Sequence, residues 1–158
     1  MLDADGYPEE AGETYEENAG AKAQYGRPLA PPDAWVLGED AGVEVDALGG
    51  RPGVHSARWA DDPIAHLLAE LAATEDRRAR FRCTIVAIGP GGRRLAVEGR
   101  LEGAIAREPR GGEGFGYDPV FVPDGETRTV AELGNEWKSR NSARARAAQA
   151  LSAALAAS

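Results

Sequence analysis

The sequence predicts one domain that mixes α-helices with β-strands, in an α/β or α+β arrangement. The chain has 158 residues, a length that fits a single domain. Its centre carries the clearest hairpin signal. Residues 81–88 are β-branched and apolar, a Gly-Pro-Gly-Gly turn follows at 89–92, and residues 95–105 form the returning strand. Helix-favouring stretches lie on both sides of this hairpin, and neither an internal repeat nor a linker divides the chain.

The elements before the hairpin are predicted to be short. Residues 13–24 favour a helix, which the glycine and proline that follow should end. The Trp-Val-Leu stretch at 35–37 predicts a short buried strand that stops at Gly38, and the alternation at 43–45 predicts a second short strand. Two aspartates and a proline at 61–63 predict the start of a helix with one apolar stripe.

Three elements are predicted after the hairpin. Residues 107–118 are rich in glycine and predict a loop, and the apolar residues 120–122 resume a strand. The stretch from 142 to 157, built from Ala, Arg, Gln and Leu, predicts a final helix because these residues have high helix propensity.

Charge and cysteine content limit the possible functions. The formal net charge of −8 opposes broad binding to DNA, RNA or an anionic membrane, but allows one small nucleotide held by local basic groups and a divalent metal. No apolar run approaches the roughly 20 residues that a membrane span needs. The acidic first residues also lack the apolar run that is typical of a signal peptide, so we expect a cytoplasmic protein. The single cysteine, Cys83, excludes an internal disulfide and is expected to be a buried, inert thiol.

Two acidic pairs are candidates for a metal site. Glu9 and Glu10 precede Glu39 and Asp40 by about 30 residues, and each pair lies beside a glycine-containing turn. Carboxylates brought together from two loops can hold Mg²⁺ and orient a water molecule for phosphoryl chemistry. The alternative is that both pairs are solvated surface, which is the usual state of acidic residues in so acidic a chain.

A loop of alternating glycines and aromatic residues occupies residues 112–119, with Phe115, Tyr117 and Asp118 at its centre. Glycines allow the backbone to approach a flat ligand, an aromatic ring can stack on it, and a carboxylate can accept its hydrogen bonds. The alternative is a tight turn in which Phe115 and Tyr117 fill the core.

Basic residues near the C-terminus are candidates for binding phosphate or a purine carbonyl. Lys138 can supply a point charge and Arg144 a forked donor. A solvated helical face is the alternative for all of them, and we prefer it for Arg140 and Arg146. Lys22, on the first predicted helix, is by itself expected only to aid solubility.

Four segments in this order resemble the inosine triphosphatase family, the pyrophosphatases of non-canonical purine nucleoside triphosphates. The matching segments are EAGETYEENAGAKA at 10–23, EDAGVEVDALGGRPGVHSAR at 39–58, REPRGGEGFGYDPVF at 107–121 and KSRNSAR at 138–144. The resemblance implies a mixed, twisted sheet in two lobes with a nucleotide cleft between them. It also implies water attack at the α-phosphate, which releases a nucleoside monophosphate and pyrophosphate.

The resemblance also implies a role for each matching residue. Glu10 and Asp40 are expected to bind Mg²⁺, with Asp40 also activating the attacking water, and Lys22 is expected to face the triphosphate. Phe115 is expected to stack on the purine, and Arg144 to read its 6-keto oxygen. The other expected substrate-binding positions are Ala41, Gly116, Tyr117, Asp118 and Lys138.

The chain departs from the family pattern at several places. The family's opening strand and Thr-Gly-Asn-x-x-Lys turn, which cradles phosphate, precede the matched region, so we expect an N-terminally shortened version of the fold. Ala41 replaces a serine, Ala143 a histidine, and Glu39 an aspartate. The segment after Trp59, which supports a homodimer in the family, is shorter here.

Two functions therefore remain open from the sequence. The first is an active Mg²⁺-dependent hydrolase of ITP, dITP and XTP, which retains metal, phosphate and base groups together. The second is a divergent paralogue that binds a nucleotide or a protein partner with weak turnover, as the departures at Ala41 and Ala143 would favour.

Overall fold

A computed structural model describes residues 10–157, and its elements confirm the predicted mixture of helices and strands. None of the helices in this described part is long and apolar enough to cross a membrane. The helices and strands, in chain order, are α1 Tyr15–Gly26, β1 Val36–Val45, α2 Pro63–Glu70, β2 Arg78–Ile88, β3 Arg94–Ile105, β4 Phe121–Pro123, α3 Val130–Asn141 and α4 Ala143–Ala156. The predicted hairpin is the β2–β3 pair, joined at residues 89–93.

The described strands form one antiparallel sheet in the order β1-β2-β3-β4, with β1 at an edge. β1 is a single ten-residue strand, so the prediction of two short strands separated at Gly38 is wrong. Gly38 pairs with Val86 inside the ladder. It is required there because helix α1 lies against it: a Cβ at Gly38 would come within 1.9 Å of the Ala19 carbonyl oxygen. The glycine marks a close approach of two backbones and not a turn.

Helices cover both faces of the sheet. Because side chains alternate along a strand, Gly38 and its partner Val86 point to one face, where Ala19 and Ala23 of α1 pack on Val86 in a small apolar cluster. Gly99 and Cys83 point to the other face, where α4 lies over Gly99. That second face carries the main hydrophobic core.

Helix α3 has no counterpart in the sequence prediction, which placed one helix at 142–157. Thr129 begins α3 with a capping box, in which its hydroxyl accepts a hydrogen bond from the Glu132 N–H while the Glu132 carboxylate accepts one from the Thr129 N–H. Gly134 interrupts the helix with φ of 88°, and a carboxylate oxygen of Glu113 accepts the Asn135 N–H at 2.8 Å. A new N-cap at Ser142 then starts α4. The kinked pair brings the segment 138–144 back over the sheet.

The packing of α4 on β3 predicts that Gly99→Ala destabilises the protein. An added Cβ would lie 2.0 Å from the Ala143 carbonyl oxygen and 2.4 Å from the Ala147 nitrogen, so helix and strand must separate. Such overpacking typically costs about 1–3 kcal/mol. Gly20→Ala is the matched control, because its Cβ would meet only Arg94 Nη2 at 3.6 Å. Alanine within α1 should leave stability unchanged or raise it by about 0.5–1 kcal/mol. Urea unfolding of both variants measures the difference, and equal midpoints would contradict this packing.

Candidate functional site

Asp40 and Lys22 meet where helix α1 crosses strand β1. Asn18 and Lys22 lie four positions apart, one helical turn, and both point at Asp40. The Asp40 Oδ2 accepts a hydrogen bond from Asn18 Nδ2 at 3.0 Å, and its Oδ1 lies 3.5 Å from Lys22 Nζ. Lys22 Nζ also donates to the Glu39 carbonyl oxygen at 2.9 Å and forms an ion pair with Glu10. The Glu10 and Asp40 carboxylates therefore face one cationic group.

Burial changes the acidity of this cluster. Asp40 is 6% exposed, and burial raises its pKa above the usual range, although the hydrogen bond from Asn18 and the charge of Lys22 act in the opposite direction. Burial alone would lower the pKa of Lys22, but the hydrogen bond to Glu10 and the charge of Asp40 outweigh it and raise the pKa. Lys22 is therefore a firmly charged ammonium, and Asp40 is a stronger base than an exposed aspartate.

Arg58 joins the same cluster, although it was not singled out from the sequence. It is the last residue of the second matching segment and of the short 3-10 helix Gly53–Arg58. Its Nη1 lies 3.1 Å from Glu10 Oε2, and its Nη2 donates to the Glu10 carbonyl oxygen at 2.9 Å. Arg58 therefore fixes both the backbone and the side chain of Glu10. The neighbouring candidate Glu9 lies outside the described residues.

The acidic cluster fits a magnesium ion that keeps most of its water ligands. Within residues 10–157, no group of three or more His, Cys, Asp or Glu side chains is placed to hold a metal. Mg²⁺ is usually bound by one or two carboxylates together with substrate phosphates. The Glu10 and Asp40 carboxylates are a donor set of this smaller kind, and both contact the Lys22 ammonium.

A cavity of about 210 Å³ opens on the other face of the sheet. Because consecutive side chains of a strand alternate, Asp40 points to the α1 face and Ala41 to the cavity. The predicted substrate-binding residues that line the cavity are Ala41, Phe115, Gly116, Tyr117, Asp118, Lys138 and Arg144. The predicted residues thus form two half-sites on opposite faces of the β1 edge, with Glu10, Lys22 and Asp40 in one and the rest in the other.

The glycine-rich loop is folded around Asp118, which is 3% exposed. Its carboxylate accepts a hydrogen bond from the Phe115 N–H at 2.8 Å and forms an ion pair with Lys138. Gly114 permits this loop, because it has φ of 81° and its Cβ would lie 2.1 Å from Asp118 Oδ2. Asp118 therefore fixes the loop that carries Phe115.

The two aromatic residues of this loop have different environments. Phe115 is 64% exposed, and Lys138 Nζ lies 3.5 Å from its ring centroid in a cation–π contact. Tyr117 is buried, and its hydroxyl donates to the Ser56 carbonyl oxygen at 2.9 Å. Burial raises the pKa of Tyr117 to about 12. Phe115 is thus an exposed ring with the Lys138 ammonium over it, whereas Tyr117 is buried and anchors the loop.

Arg144 lies at the mouth of the cavity in a bidentate pair with Glu39. Its Nε is 2.8 Å from both Glu39 carboxylate oxygens, and its Nη2 is 2.6 Å from Oε1. This hydrogen bonding raises the pKa of Arg144 despite its partial burial. The side chain of Glu39 was predicted as half of an acidic pair, but the structure turns it away from Asp40 and towards Arg144.

Comparisons with known proteins find relatives along nearly the whole chain. A sequence model of the Ham1 family matches residues 2–154. A dITP/XTP pyrophosphatase of Bdellovibrio bacteriovorus is 44% identical over 149 residues, which cover 89% of this chain and 74% of that protein. The dITP/XTP pyrophosphatase of Bacillus subtilis is 45% identical over 155 residues, which cover 93% of this chain and 77% of that protein.

Solved structures show the same fold. The Ham1 protein of Staphylococcus aureus superimposes with a TM-score of 0.86 at 39% identity, covering 94% of this chain and 80% of that one. A nucleoside-triphosphatase, or dITP/XTP pyrophosphatase, of Mycobacterium abscessus gives a TM-score of 0.75 at 43% identity, and the match covers 96% of this chain and 80% of that one.

The environment of Cys83, beneath the cavity, predicts an unreactive thiol. Cys83 is 1% exposed, and burial raises its pKa to about 12. The thiolate is the reactive form, so at pH 8 or 9 the folded protein should not react with Ellman's reagent. After unfolding in guanidinium, one thiol per chain should react with the reagent, because the sequence has one cysteine. Rapid reaction of the folded protein at pH 8 would contradict this placement.

Proposed function

The chain belongs to the Ham1 family, and from this premise we propose that it hydrolyses non-canonical purine nucleoside triphosphates, such as dITP and XTP, to the monophosphate and pyrophosphate. It is a nucleoside triphosphate pyrophosphatase, as its curated relatives are named. The observation that carries the proposal is the meeting of Glu10 and Asp40, from separate segments, on the Lys22 ammonium. That cluster lies across one strand from a cavity with an exposed aromatic ring.

The half-site on the α1 face is proposed to hold the triphosphate. Glu10 and Asp40 would hold Mg²⁺, which when bound neutralises phosphate charge and stabilises the charge that develops in the transition state. Lys22 would contact the triphosphate as a firmly charged ammonium. Arg58 would keep Glu10 in position through its two contacts with that residue.

Asp40 is proposed to accept the proton of the attacking water. Asp40 is 6% exposed, and its carboxylate could take a proton from a water molecule held beside it. The water oxygen would bond to the α-phosphorus while the bond to the α,β-bridging oxygen breaks, and the bridging oxygen would leave as part of pyrophosphate. Asn18 would hold the Asp40 carboxylate in place through its 3.0 Å hydrogen bond.

The half-site on the other face is proposed to hold the base. The Phe115 ring would stack on the purine, with Lys138 and Asp118 beside it and Ala41, Gly116 and Tyr117 completing the wall. Arg144 would donate to the 6-keto oxygen that hypoxanthine and xanthine share. Adenine presents an amino group at this position and offers no acceptor there.

We also propose that the working form is a cytoplasmic homodimer, as the family resemblance implies. Light scattering during size-exclusion chromatography tests the oligomeric state directly. A mass twice the 16.6 kDa of the chain is the expected result, and a mass equal to that of the chain would contradict the dimer.

The reaction can be tested by following oxygen-18 from labelled water. The purified chain is incubated with ITP, XTP or ATP and Mg²⁺, and the products are analysed by phosphorus NMR. Attack at the α-phosphorus places the label in IMP or XMP and leaves pyrophosphate unlabelled. Stepwise release of orthophosphate would contradict the proposed chemistry. Stabilisation by ITP against heat without any pyrophosphate would indicate a protein that only binds nucleotide.

The role of Asp40 predicts that Asp40→Asn lowers kcat for ITP by about a hundredfold or more, because general-base catalysis contributes about 10²–10⁴-fold. Asp124→Asn is the control, since it removes a carboxylate from the exposed Arg78–Asp124 pair without touching either half-site. Circular dichroism confirms that both variants are folded. An Asp40→Asn variant that retained full turnover would show that another group accepts the proton.

A further inference from the structure

We propose that Glu39 is a positioning residue that holds the Arg144 guanidinium in place and thereby sets the selectivity for a 6-keto purine over a 6-amino purine. This inference rests on the proposed function, in which Arg144 reads the base. It adds a residue to which neither the family resemblance nor the comparisons assign a role.

The geometry of the pair supports this role. Three hydrogen bonds of 2.6–2.8 Å join one edge of the guanidinium to the carboxylate. Bidentate pairs of this kind fix orientation as well as distance, because the planar donor fork matches the two carboxylate oxygens. The partners lie on β1 and α4, 105 residues apart, so the pair depends on the fold and not on local sequence.

The pair leaves the opposite edge of Arg144 available. Nε and Nη2 are engaged by Glu39, whereas Nη1 has no hydrogen-bond acceptor among residues 10–157. The Arg144 Cζ lies 5.7 Å from the centroid of the exposed Phe115 ring. A purine stacked on Phe115 therefore presents its edge close to a guanidinium whose free donors are already oriented.

The chemistry of the base then decides which ligand gains from this arrangement. A 6-keto oxygen accepts a hydrogen bond from Nη1, whereas a 6-amino group places its own donors against it. Without Glu39, the flexible arginine side chain must be ordered when the base binds, and this entropy cost reduces the gain. Loss of the Glu39 carboxylate should therefore weaken the binding of ITP and change the binding of ATP much less.

The role of Glu39 is separable from that of its neighbour Asp40. Their side chains point to opposite faces because they are consecutive in a strand. The phosphate half-site uses only the main chain of Glu39, whose carbonyl oxygen accepts from Lys22 at 2.9 Å. Replacing the Glu39 side chain therefore leaves the contacts of Glu10, Lys22 and Asp40 in place.

The test compares Glu39→Gln and Glu39→Asp with the unaltered chain, using kcat/KM for ITP and for ATP. We expect Glu39→Gln to lower the ITP-to-ATP ratio about tenfold, mainly through a higher KM for ITP, because it removes the charge from a hydrogen-bonded pair. Glu39→Asp keeps the charge and should restore part of the ratio. The Mg²⁺ concentration that gives half-maximal activity should not change.

Glu70→Gln is the matched control, and it should leave the ratio unchanged. It breaks the Arg51–Glu70 pair, whose side-chain exposures of 59% and 36% resemble the 54% and 31% of the Arg144–Glu39 pair.

A double-mutant cycle then shows whether Glu39 acts through Arg144: adding Glu39→Gln to Arg144→Ala should cause no further loss of selectivity.

Other results from these variants would contradict the role of Glu39 or the proposed function itself. If Glu39→Gln still hydrolyses ITP and its ITP-to-ATP ratio of kcat/KM is unchanged, the role of Glu39 is contradicted, but the proposed function is not. Equal losses for ITP and ATP with a shifted Mg²⁺ requirement would assign Glu39 to the phosphate half-site instead. A selectivity loss that persists in the Arg144→Ala background would show that Glu39 contacts the base itself. If the unaltered chain hydrolyses neither nucleotide, the proposed function fails and the inference fails with it.

Discussion

The close approach of helix α1 to strand β1 at Gly38 is the constraint on which the proposed phosphate half-site depends. A Cβ at this position would lie 1.9 Å from the Ala19 carbonyl oxygen, so only glycine lets the helix lie this close. That contact brings Asn18 and Lys22 against Asp40 two residues further along β1. It also buries Asp40, which raises its pKa, while Arg58 holds Glu10, the second carboxylate partner of Lys22. One packing contact thereby places the Asn18 and Lys22 side chains on Asp40 and buries that carboxylate.

The alternation of side chains along β1 links this half-site to the base cavity. Asp40 and Ala41 are adjacent in sequence yet face opposite sides of the sheet, so a nucleotide that uses both sides must cross the β1 edge. Charged pairs organise the cavity side. Asp118 holds both Lys138 and the backbone of Phe115, and Glu39 holds Arg144. The basic groups proposed to meet the base are thus already oriented by carboxylates, and such preorganisation reduces the cost of binding.

Sequence patterns predicted the elements with a strong local signal and missed those set by tertiary contacts. The hairpin β2–β3 and helices α1, α2 and α4 were predicted within a few residues, because turn residues, helix propensity and, for α2, an apolar stripe are local signals. Strand β1 was divided wrongly at Gly38, since a glycine needed for helix packing resembles a glycine that ends a strand. Helix α3 escaped prediction because Gly134 breaks its pattern. For the candidate site, motif resemblance singled out Glu10, Lys22 and Asp40, which the structure brings into contact. The contacts that Asn18, Arg58 and Glu39 make depend on side-chain directions that spacing does not reveal.

We expect one nucleotide to span the β1 edge, with its phosphates beside Asp40 and its base on Phe115. The most direct measurement is a crystal structure with Mg²⁺ and an ITP analogue whose α,β-bridging oxygen is replaced by an imido group. The expected structure has a cation bound by Glu10 and Asp40, phosphate oxygens at Lys22, and a purine stacked on Phe115 with its 6-keto oxygen at Arg144. A nucleotide confined to one face of the sheet, or a cation bound away from Glu10 and Asp40, would contradict it.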